Sequence, residues 1–127
     1  MALTHATSNF ARNIRPHVCA ELKAATALIA LGQAQNAFTH LERAHVLGQA
    51  STTHHVRVHW CMLLWGVQQR DLKECLGQIF RILGAATKTV FGLIPHGNTG
   101  GANVSPFKPM PVPVELEIRI QQVRRMG

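Results

Sequence analysis

Between Pro16 and Thr87 the apolar residues recur every three or four positions, the period of a helix with one buried face. The pattern predicts four helices. The first runs from about Pro16 to Leu31, with Pro16 as its opening residue and Leu22, Ala25, Leu28 and Ile29 on its apolar face. Gly32-Gln33 stops it. The second runs from about Ala34 to Leu47, with Ala37, Phe38, Leu41, Ala44, His45 and Gly48 near one face and Gly48 as a C-terminal cap. Ser51-Thr52-Thr53 supplies an N-cap for a third helix, about Thr53 to Gln69. Arg70-Asp71 turns the chain, and Asp71 with Glu74 three residues on reads as a capping box for a fourth helix, about Leu72 to Thr87.

The two helical pairs repeat at an offset of about 38 residues, which suits either a short tetratricopeptide-like stack or a closed four-helix bundle. The remainder differs in character. Residues 1–15 read as a polar lead-in in which Phe10 and Ile14 can dock. Five of the six prolines fall between residues 92 and 113, a density no helix survives. That segment also carries Phe107, Met110, Val112 and Val114, so it reads as an ordered strap laid over the helices. From Pro113 a short last helix begins, acidic at its start and basic at its end as the helix dipole favours. The expected architecture is one all-α domain over residues 1–127: lead-in 1–15, four-helix core 16–87, strap and C-terminal helix 88–127.

One stretch of this frame carries chemistry. Five of the eight histidines lie within residues 40–59. Glu42 and His45 are three apart and share a helical face, with Gln49 four further on. His55 and His59 are four apart and share another. Across a short turn, Glu42, His45, His55 and His59 can converge as ligands of one divalent transition metal, with Zn, Ni, Co or Fe suited to imidazole and carboxylate. His40, Gln49, His96 and Asn98 are the supporting candidates around them. His40 lies about 140° around its helix from His45 and so does not serve the same ion directly. His54 reads as an exposed turn residue. The competing interpretation is a hydrogen-bonded core histidine at position 45, in a pH-sensitive network without an ion.

The Gly97-Asn-Thr-Gly-Gly101 loop has two readings: an anion-binding nest, or a tight turn with Asn98 left-handed. No Walker pattern accompanies it, and the turn is favoured. Nucleophilic catalysis has no supporting arrangement, because Cys61 and His59 do not share a helical face.

Charge and cysteine content refine the partners. The net charge of +7 favours anionic partners, but the 13 basic residues are scattered and the aromatics are not interleaved with them. Nucleic-acid binding is therefore disfavoured, and a protein partner or a homodimer is the better expectation. Three widely spaced cysteines form no zinc or redox pair, which suits a reducing, cytoplasmic setting. The longest apolar run, Val58–Val67, is too short to span a bilayer.

Taken together, His40-Leu-Glu-Arg-Ala-His45-Val-Leu-Gly-Gln49, the His59-Trp60 segment, Arg70-Asp71, Gly77-Gln78 with Arg81, and Pro95-His-Gly-Asn-Thr-Gly100 with Pro109-Met-Pro111 resemble the bacterial domain-of-unknown-function family 3703. The resemblance covers nearly the whole chain and implies a small helical bacterial protein. It implies no activity. Three functions are thus open: transition-metal binding or sensing, a helical-hairpin interaction module without metal, and a metal-dependent enzyme.

Overall fold

A computed structural model describes the backbone of residues 2–90 and 96–127, and the side chains of residues 7–85 and 96–127. The protein is all-helical over the described residues, with five helices: α1 (Ala2–Ala30), α2 (Ala34–Gly48), α3 (Thr52–Gln68), α4 (Leu72–Val90) and α5 (Val114–Arg125). The two expected hairpins form, α1 against α2 and α3 against α4, and α2 packs on α3 to join them. Among the described residues α4 meets no helix but α3. The strap at residues 96–113 lies against both α2 and α4 instead, so the second hairpin stands open to it. The Pro95 end of the strap and its neighbours lie outside the described residues.

The core is built at the seam of the hairpins. Ile14, Val18 and Ala25 from α1, Ala37, Leu41, Ala44 and Leu47 from α2, Val58, Met62 and Trp65 from α3, and Leu116, Ile120 and Val123 from α5 are all buried. Trp65 Nε1 donates to the Ala34 carbonyl at 2.8 Å and its ring meets Phe38 at 4.5 Å, which fastens the open end of α3 to the start of α2. Arg43 bridges helices by charge: its Nε donates to Glu21 at 3.0 Å and its Nη1 to Glu115 at 2.7 Å, joining α1, α2 and α5. His40 Nδ1 meets the same Glu21 at 2.6 Å.

Several local expectations need correction. The first helix starts at Ala2, not Pro16, and Pro16 sits inside it. Ile14 and Val18, on either side of the proline, are fully buried, so packing outweighs the roughly 3 kcal/mol that an interior proline costs. One turn before it, the Ala11 carbonyl accepts from His54 Nε2 at 2.8 Å. His54 is therefore not an exposed turn residue: it is buried and ties the start of α3 to α1. Gly48 is not a left-handed cap but the last residue of α2, and a Cβ there would stand 2.9 Å from His54 Cβ. Its smallness lets α2 and α3 approach. The left-handed residues of the turns are Gly32, Arg70, Gly97 and Gly100, so Asn98 is not among them.

The other end signals hold. Ser51 caps α3, its hydroxyl facing His54 N at 3.5 Å, and Asp71 Oδ1 accepts from Glu74 N at 2.9 Å. Glu74 does not complete the box. Its carboxylate turns to the strap and accepts from Ala102 N at 3.0 Å.

Candidate metal centre

The helical periods of α2 and α3 turn His45, His55 and His59 inward, and the close approach at Gly48 brings them together. All three are buried, with ring centroids 4.7–4.8 Å apart in every pair. One ligand atom from each lies within 4.8 Å of the others. Nε2 of His45 and Nε2 of His59 lie 3.1 Å apart.

The far side of each ring fixes its protonation. His45 Nδ1 lies 2.7 Å from the Asn98 backbone carbonyl, which can only accept, so Nδ1 carries the proton. His59 Nδ1 lies 2.6 Å from Gln78 Oε1. The Gln78 amide has its own orientation fixed, because its nitrogen donates to Glu74 Oε1 at 2.6 Å and to the Gly100 carbonyl at 2.8 Å. Its oxygen must therefore face His59, and His59 Nδ1 is the donor. In the neutral state both Nε2 atoms then carry lone pairs, directed at one another with no proton between them.

Protonating one of them would relieve the contact, but the site resists positive charge. Burial holds His45 well below the usual histidine range, reinforced by the neighbouring His59 and His55, partly offset by the bond to Asn98, and pushed further by Arg81. Two nitrogens each about 2.1 Å from one ion at a tetrahedral angle sit roughly 3.4 Å apart. The 3.1 Å pair is already close to that spacing.

Of the four expected ligands, three meet. Glu42 stands outside the cluster. It is half-buried, and its carboxyl is raised chiefly by burial, with Thr99 partly lowering it and Glu74 adding repulsion. Of the supporting candidates, Asn98 takes the expected place but through its backbone carbonyl. Its side chain braces the strap, with Nδ2 donating to Ser105 and Lys108 carbonyls and Oδ1 accepting from Gly100 N. The Gly97–Gly101 loop is thus a turn built around Asn98. Gln49 is buried elsewhere, with Oε1 lacking a partner, in a cleft with Phe10, Ile120 and Arg124. His96 is exposed and faces Glu117, and His40 serves Glu21.

The residues missing from the sequence-based set are Gln78, Glu74 and Arg81. They occupy one face of α4 at intervals of three and four, and polar residues on an otherwise inward-facing stripe were their signal.

A family model described as "Protein of unknown function (DUF3703)" matches residues 12–120. The chain belongs to this family. No curated protein and no solved structure matches it. The DUF3703 match spans α2, α3, α4, the strap and the start of α5, so the three histidines and their hydrogen-bond partners all lie within the matched region. Among its described residues no helix is long and apolar enough to cross a membrane.

Proposed function

We propose that this protein binds a divalent transition metal through His45, His55 and His59. The observation that carries the reading is the outward pinning of both Nδ1–H groups, which leaves the Nε2 lone pairs of His45 and His59 aimed at each other 3.1 Å apart. A ligating histidine that donates its other N–H to a carbonyl is the usual outer arrangement of metal sites. Buried neutral imidazoles favour Zn, Co, Ni or Fe(II) over hard cations. Glu42 acts outside the coordination sphere, supplying negative charge nearby.

Purified protein, stripped and titrated with Zn(II) or Co(II), should take up one equivalent and gain thermal stability. No uptake and no change in Tm with either ion would sink the proposal. Glu42→Gln should keep the one-to-one stoichiometry. Gln78→Leu should weaken binding by about 10- to 100-fold, because it frees the His59 ring to turn and change tautomer.

A second reading rests on the opposite face of the second hairpin. Trp60, Leu64 and Val67 on α3 and Leu72, Leu76, Ile79 and Leu83 on α4 are 44–73% exposed. Leu72, Leu76, Ile79 and Leu83 form a narrow stripe directed away from the Glu74–Gln78–Arg81 face. Monomers seldom expose apolar patches beyond a few hundred Å². We infer that a second copy of the chain covers this one, two α3–α4 hairpins pairing about a twofold axis into a four-helix layer. Seven such side chains offer an area on the order of the 800 Å² per partner of a standard interface. Light scattering should show a dimer that Leu76→Glu with Leu83→Glu converts to a folded monomer. A monomeric wild type at tens of micromolar would overturn this reading.

A further inference from the structure

Three imidazoles leave part of the coordination sphere of a tetrahedral ion to another donor. Beside the cluster lies a cavity of about 30 Å³ lined by the three histidines, Phe80, Arg81 and Pro106. Arg81 is the notable member. It is only 8% exposed, and its Nη2 donates to the Val104 carbonyl, yet its buried Nε has no hydrogen-bond partner. Among the described residues no carboxylate lies within ion-pairing distance of it. The nearby Glu74 is committed to Ala102 N and Gln78 Nε2. A buried cation with an unsatisfied donor is costly to leave without an anion.

We propose that the metal's remaining position is an anion site, in which a small exogenous monoanion sits between the ion and the Arg81 guanidinium. This rests on the metal reading above. The cavity brings the three histidines and Arg81 around one small space, which suits compact anions such as hydroxide, formate and azide. Charge agrees with geometry. With a divalent ion in place, Arg81 and the metal outweigh Glu42 and Glu74 by one positive charge, which one monoanion neutralises.

The test uses the full chain loaded with Co(II), whose visible spectrum reports its ligands. Azide and formate should change the spectrum of the wild type saturably. On fully loaded Arg81→Met, azide and formate affinity should fall by about 10- to 100-fold, the loss expected for one charged hydrogen bond in a buried site. Arg81→Gln, which keeps a donor for Val104, replaces the methionine variant if that one does not fold. Wild-type spectra that ignore both anions, or equal anion affinity in wild type and variant, would overturn the anion site while leaving the metal site standing. Failure to take up Co(II) at all would instead refute the metal reading.

Discussion

His45→Ala is expected to abolish metal binding, lowering affinity by more than the roughly 10- to 100-fold lost when only an outer partner is removed. Competition titration with a chromophoric chelator would measure it, and unchanged affinity would exclude His45 as a ligand. The same substitution should alter how the metal-free protein responds to acid. Burial depresses the His45 pKa in the fold, whereas the unfolded chain titrates near the ordinary value of 6.5. Below that pH the unfolded state binds a proton that the folded state refuses. The stabilisation is therefore complete above 6.5 and is lost as pH falls below it, at about 1.4 kcal/mol per pH unit for this one proton, until the folded-state pKa is reached. Metal-free wild type should lose Tm more steeply than His45→Ala on going from about pH 7 to about pH 5. Parallel curves would mean that burial does not set the His45 protonation state. Bound metal should flatten the wild-type curve at moderate acidity, because the ion competes with the proton for Nε2.

The histidine pairing was readable in the chain because its two rules are local. A spacing of four places His55 and His59 on one face, and a short turn after Gly48 sets His45 opposite them. The helices were readable for the same reason, except where tertiary packing overrode a local signal. Pro16 looks like a helix start, and the chain alone does not show that Ile14 and Val18 would be buried against neighbours on both sides of it. Glu42 satisfied the same spacing rule as His45 but stands outside the cluster, since three residues of helix turn a side chain by about 300° and not a full circle. Gln78 and Arg81 lay furthest from reach. Their roles depend on α4 and the strap meeting across the cluster, and that contact joins residues more than 20 positions apart with no shared period.

Gly100→Ala should strike the histidine centre directly. Gly100 holds φ +85, a left-handed conformation that costs a residue bearing a Cβ about 1–2 kcal/mol. The added carbon would also stand 2.5 Å from His45 Cδ2 and 2.7 Å from its Cγ, closer than real side chains approach. The ring cannot yield freely, because Asn98 holds its Nδ1 and Gln78 binds the Gly100 carbonyl. Overpacking of this kind typically adds about 1–3 kcal/mol. The sum, roughly 2–5 kcal/mol, should lower Tm by about 10–20 °C in a chain of this size. Gly32→Ala supplies the comparison. Its φ of +73 brings similar strain, but nothing lies within 4 Å of the new carbon. Gly32→Ala should therefore lose only the strain contribution and bind metal like the wild type, while Gly100→Ala displaces the His45 ring and loses affinity as well. Equal stability in the two variants would show that the strap does not clamp His45, and that the proton on its Nδ1 is held by something other than Asn98.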